Sequence, residues 1–202
     1  ASIQRLEIAL RTRMIQRFSA QHSPFWFMNP GLFKSESNFL ENLSALEREV
    51  RRSKEDFIYE YYAKYDQPAL PPVWKTLELA TLGTLSKLYC DFADNKVKKL
   101  AARDFNLPQH EVLESWARML TGLRNLCAHH SRLWNRRLSA TPQLNAKMRG
   151  AWITRKDLDA NKLYAALCCL VYWLNSLDRG EQFKSDLLSL FAAYPNVDRA
   201  AM

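Results

Sequence analysis

Five glycines among 202 residues, and scarcely any stretch of alternating β-branched residues, restrict this chain to helices. Strands need period-two alternation, and tight hairpin turns draw on glycine; the chain supplies neither. It does supply the helical period. Ile3, Leu6, Ile8, Leu10, Met14, Ile15 and Phe18 recur at near-helical spacing up to the breakers His22-Ser23-Pro24 and Asn29-Pro30-Gly31. Phe39, Leu43, Leu46, Val50, Phe57 and Tyr61 predict a second helix over about 36–65, whose charged middle, Glu47 to Asp56, is either a solvated face or a break. Further helices are expected over 74–90, with Gly83 inside, within 91–105, over 112–136, over 159–177 and over 182–194, with a loop across 138–150. The expected architecture is an all-α helical bundle in a single domain covering 1–202.

Apolar residues at 48% and aromatics at 12% exclude a disordered chain and are enough for one globular core. An excess of 29 Lys and Arg over 21 Asp and Glu, +8 in all with a pI near 9.4, favours polyanionic partners without separating RNA from DNA. Cys90, Cys127, Cys168 and Cys169 show no CxxC spacing, and the adjacent pair lies in an apolar run; reduced thiols and a cytoplasmic location are expected, without disulfides or structural zinc. The longest apolar run, 163–174, falls short of the roughly 20 residues of a membrane span, so a core helix and no membrane partner are expected. No secretory leader opens the chain, and both ends read as boundaries of an excised segment. With no glycine-rich phosphate loop, metal-ligand cluster or serine-centred nucleophile motif, no cofactor and no metal are expected.

Chemistry concentrates between Arg124 and Arg137, RNLCAHHSRLWNRR, in a stretch where neither lysine nor glutamate occurs from Ala117 to Leu138. On a helix turning about 100° per residue, Leu123, Leu126, Cys127, His130, Leu133 and Trp134 form the core stripe. Arg124, Asn125, His129, Arg132 and Arg136 fall on the other side, the last four nearly in line. His129 is thereby presented, while His130 leans inward as a structural residue. An ordinary solvated face is usually made of Glu and Lys; this one is Arg, Asn and His. Arginine forks match phosphate oxygens and an imidazole can move a proton, which suits phosphodiester chemistry.

Arg124-Asn125, three residues, then His129 resembles the R-x4-6-H motif of the HEPN superfamily, and RNLCAHHSRLWNRRL is similar to its Abi-like abortive-infection group of the AbiD/AbiF type. Pro72 to Ser86 resembles that group's P-x-W-x3-E-x4-G-x2-S block, and Arg5 to Arg11 its R-x-E-x-A-L-R opening. The resemblance implies a HEPN-type bundle and a metal-independent endoribonuclease of a bacterial phage-defence or toxin-antitoxin system, its active site built across a homodimer. It implies His129 as acid/base and Arg124 as the group that stabilises phosphate charge. Asn125 would orient the imidazole or bind phosphate, and Arg132 and Arg136 would support. The implied partners are an RNA substrate, a second copy of the chain, and a small non-coding RNA or protein antitoxin. The alternative is a noncatalytic HEPN protein that binds RNA or acts as a scaffold; a DNA-binding helical regulator is a weaker third.

Glu78 either pairs with Arg124 or another motif-helix arginine, or is a surface carboxylate. Trp74 and Trp134 are expected in the core rather than as base-stacking platforms. The clusters Lys96-Lys98-Lys99-Arg103 and Arg48-Arg51-Arg52-Lys54 are expected as solvated faces unless they lie beside His129.

Overall fold

The computed structural model describes residues 1–144, 146–154 and 157–197. Among them the regular elements are helical, as expected: α1 (Ser2–Gln21), α2 (Glu36–Arg52), α3 (Asp56–Tyr62), α4 (Val73–Thr76), α5 (Leu82–Asp91), α6 (Asn95–Arg103), α7 (His110–Ala128), α8 (Leu163–Asn175) and α9 (Gly180–Ala193). Two short 3-10 turns, Trp26–Met28 and Pro30–Leu32, and one antiparallel bridge between Phe33 and Phe92 complete the regular structure described. The helices group into two compact units, one of Glu7–Ala101 and one of Ala1–Leu6 with Ala102–Met202.

In the unit 7–101, α1 buries Leu10, Met14 and Phe18 at four-residue intervals, one stripe of a 3.6-residue period. Phe18 carries the stripe into an aromatic cluster, stacked on Phe92 at 4.3 Å and edge-on to Trp26 at 5.0 Å. The bridge at Phe33 is closed by Lys34 N–H donating to Asp91 O (2.9 Å) and Ala93 N–H to Leu32 O (2.8 Å). The helix expected over 36–65 is two helices, because Ser53 Oγ accepts the Glu55 N–H (3.2 Å) and turns the chain after Arg52. Its charged middle is therefore a break. The helix expected over 74–90 also divides: Thr81 Oγ1 accepts the Thr84 N–H (3.2 Å) and starts α5 afresh, which puts Gly83 in a first turn and not in a helix interior.

Two side chains of this unit depart from their expected places. Trp74, expected in the core, is 49% exposed on the single turn of α4. Lys98, expected on a solvated face, is 0% exposed, and its ammonium donates to Cys90 O and Phe92 O (3.2 Å each) at the carbonyl end of α5 while lying over the Tyr89 ring. The end of a helix leaves carbonyls without intrahelical donors, and a buried cation there meets both the hydrogen-bonding and the dipole requirement.

In the other unit, Trp116 of α7 is fully buried, stacked on Trp152 (5.6 Å) and edge-on to Tyr172 of α8 (5.9 Å). This aromatic box also holds irregular backbone: Trp116 Nε1 donates to Gln143 O (3.0 Å), Trp152 Nε1 to Leu144 O (3.2 Å), and Ser115 Oγ accepts from Gln143 N–H (2.9 Å). Irregular backbone packed against buried rings needs such partners for its polar groups. α8 is the apolar core helix, with Ala165, Ala166, Cys169 and Trp173 at 0% exposure, and among the described residues no helix is long and apolar enough to cross a membrane. Gly180 starts α9 so close to α8 that a Cβ there would overlap the Asn175 side chain and stand 2.5 Å from Val171 O. None of the four cysteines is in a disulfide, and burial pushes the thiols of Cys168 and Cys169 up, which disfavours the reactive thiolate.

Lys98→Ala distinguishes a capping lysine from a surface one. Loss of the charged hydrogen bonds and the buried stem is expected to cost at least about 2 kcal/mol in urea unfolding, whereas a solvated lysine would change stability by under roughly 0.5 kcal/mol.

Candidate functional site

Helix α7 stops at Ala128, eight residues before the expected end at 136. Its last i−4 bond runs from His129 N–H to Asn125 O (3.0 Å), and two further backbone bonds stop it: His130 N–H donates to Cys127 O (3.1 Å) and Ser131 N–H to Leu126 O (2.9 Å). The last two are the paired bonds of a Schellman closure, which requires a left-handed residue at the position His130 occupies, and His130 has φ 51°. Glycine ordinarily fills that position, so the sequence showed no stop.

The early stop redistributes the expected site. Arg124, Asn125 and His129 share the exposed closing turn, with Arg124 Nη1 donating to Asn125 Oδ1 at 3.4 Å. Arg124 and His129 are separated by about 140° around the axis and roughly 7.5 Å along it. Arg132 and Arg136 lie beyond the helix, so the expected line of Asn125, His129, Arg132 and Arg136 along one helix face does not form. The expected core stripe holds only in part: Leu123 is buried and Trp134 half-buried, while Cys127 and His130 are exposed. His130 is structural through its backbone, not through inward packing.

The chain leaving the closure folds back along α7. Leu138 N–H donates to Asn161 O (2.7 Å), and the returning segment encloses a pocket of about 250 Å³ with the helix. Asn125, Leu126 and Gly122 form one wall; Arg136, Arg137 and Ser139 form the other. Asn125 and Arg136 are thus brought together by a reversal of the chain. Arg137, which the sequence did not single out, lines the same pocket and pairs with Asp159 at 3.5 Å. Glu78 lies in the connection before α5, where its carboxylate is exposed and 4.0 Å from Arg11 Nη1.

Along the chain, charge on either side of the closure has one sign. From Ser115 to Lys156 the chain contains nine Arg and Lys and no Asp or Glu, more positive charge than the whole chain carries net. Among the described residues no carboxylate pairs with Arg124, Arg132 or Arg136, and all three are exposed. Such a surface attracts a polyanion, and its guanidinium forks suit phosphate oxygens. Among the described residues no group of three or more His, Cys, Asp or Glu is placed to hold a metal ion.

His130→Gly is expected to raise unfolding stability by up to about 1 kcal/mol, since glycine adopts the left-handed conformation without the Cβ penalty. A drop in the urea midpoint would contradict the closure described above.

In a comparison with families, residues 1–135 match the family described as Abi-like protein. No curated protein and no solved structure matches the chain. The matched span runs from α1 through the closing turn of α7 and on to Asn135, taking in Arg5–Arg11, Pro72–Ser86 and Arg124–His129, and the chain belongs to the Abi-like protein family.

Proposed function

We propose that the protein is a HEPN-type, metal-independent endoribonuclease acting in bacterial abortive infection, with Arg124 and His129 as its catalytic residues. The observation that carries the proposal is the exposed helix end, which presents an arginine, a carboxamide and an imidazole to solvent in a segment free of acidic residues. Membership of the Abi-like family supports the defence role. The closing turn offers positive charge for the backbone and an imidazole for proton transfer, which are the two things that phosphodiester cleavage by a neighbouring hydroxyl requires.

In this mechanism the ribose O2′ attacks the adjacent phosphorus as His129 takes its proton. The P–O5′ bond breaks, O5′ leaves as a hydroxyl after taking a proton from water, and His129 returns its proton to solvent. The products are a 2′,3′-cyclic phosphate and a 5′-hydroxyl. Arg124 balances the charge that builds on the non-bridging oxygens, Asn125 fixes the Arg124 guanidinium, and Arg136 holds a flanking phosphate across the pocket. Since Arg124 and His129 diverge on their own helix, a second copy of the chain completes the site: Arg124 of one subunit works with the imidazole of the other. A nuclease that damages host RNA needs restraint, and an antitoxin, either a small non-coding RNA or a protein, is the proposed regulator.

The test is cleavage of end-labelled RNA in the presence of a metal chelator. His129→Ala is expected to lower the rate by about 10²–10⁴ and Arg124→Ala by about 10²–10³. Full rate in both variants contradicts the assignment, and binding without cleavage by pure wild-type protein replaces it with the noncatalytic reading. Mixing the two inactive variants checks the shared site. Random exchange of subunits leaves half the sites intact in half the dimers, so recovery of about a quarter of wild-type activity is expected, and none if each site lies within one chain.

A further inference from the structure

The unit 7–101 holds a cleft of about 490 Å³, within the roughly 300–1,000 Å³ range of small-ligand sites, that the proposed cleavage chemistry does not use. Phe25, Tyr61, Tyr65 and Trp74 line it, together with Lys64 and Lys75. Four aromatic rings in one open cleft are uncommon on a water-facing surface, and two of them are largely uncovered: Trp74 at 49% and Tyr65 at 55%.

The walls are built rather than accidental. Val73 N–H donates to Pro24 O (2.9 Å), tying the backbone beside Phe25 to the start of α4. On the other side the Tyr61 hydroxyl donates to Pro68 O (3.0 Å), the Tyr62 hydroxyl donates to Ala69 O (2.9 Å), and Tyr61 packs against Tyr65 with centroids 5.2 Å apart. Lys75 Nζ donates to Phe57 O (2.9 Å), fixing its ammonium at the cleft. Tyr61, and Tyr65 packed on it, therefore meet a ligand with little entropy left to lose.

We propose that this cleft binds an unpaired nucleotide of single-stranded RNA, with its base stacked on Trp74 and Tyr65 and its phosphate against Lys64. The inference rests on the RNA-directed reading above, but not on catalysis by Arg124 and His129. Exposed aromatics with interleaved lysines are what sequence-tolerant single-strand binding requires, because every base offers a π-face and every nucleotide a phosphate. Glu60, also in the lining, is an acceptor for a base N–H, such as uracil N3–H. A neutral proline-rich peptide would use the rings but has no phosphate to set against the two lysines, so charge favours the nucleotide.

The test is fluorescence anisotropy with labelled single-stranded oligouridylate, in the full chain carrying His129→Ala so that the RNA stays whole. Trp74→Ala and Tyr65→Ala are each expected to weaken binding about 5- to 150-fold, the effect of one lost base stack, while Trp74→Phe stays within about threefold. A duplex RNA of the same length is expected to bind all variants alike. Unchanged single-strand affinity in both alanine variants overturns the proposal, as does an equal loss for duplex, or Trp74-dependent binding of a proline-rich peptide with none for oligouridylate. The cleavage assay separates this from the nuclease proposal. Trp74-dependent binding without wild-type cleavage sinks the nuclease alone, and cleavage with Trp74-independent binding sinks the stacking cleft alone.

Discussion

The closure of α7 is the constraint on which the site depends. Two bonds, His130 N–H to Cys127 O and Ser131 N–H to Leu126 O, end the helix while a left-handed His130 turns the chain around. Had the helix continued, Arg132 and Arg136 would have risen away from Asn125 along one rod. With the reversal, Arg136 and Arg137 return beside Asn125 and Gly122. A left-handed histidine costs on the order of 1 kcal/mol relative to glycine, a strain held at the turn where the chemistry is proposed.

Two further features keep that turn usable. The aromatic box around Trp116 supplies partners for the backbone of Gln143 and Leu144, so the returning loop is fastened to α7 well before the exposed end. The acid-free run from Ser115 to Lys156 leaves Arg124, Arg132 and Arg136 without intramolecular carboxylates to neutralise them among the described residues. Packing is thus concentrated in the first half of α7 and charge in its last turn and beyond. That division matches a binding surface carried on a rigid element.

Much of this was legible in the sequence. Glycine scarcity and the apolar period gave the helical class, the extent of α1, and the apolar character of α8. The Arg124-to-His129 spacing picked out a turn that is indeed exposed. What stayed hidden were local hydrogen bonds that compete with helix continuation. Thr81 and Ser53 each draw a backbone N–H out of a periodic pattern, and periodicity alone does not weigh that competition. The stop at His130 lacked its usual glycine. Lys98 read as one charge in a basic run because only the fold places the carbonyls of Cys90 and Phe92 around it. Trp74 read as core because the break before α5, which leaves α4 a single exposed turn, was not visible. The length of the acid-free run was available from the sequence and is the signal that would have drawn in Arg137.

The central claim is that this exposed basic turn cuts RNA by using the substrate's own 2′-hydroxyl. The most direct measurement places a single 2′-O-methyl ribose immediately 5′ of the cleaved phosphate in an otherwise unmodified RNA, and follows cleavage at that position by mass spectrometry. Cleavage there is expected to be abolished while neighbouring positions are cut as before, with cyclic phosphate on the 5′ fragments. Cleavage at the blocked position at an undiminished rate would contradict the claim, because the attacking group would then not be the ribose hydroxyl.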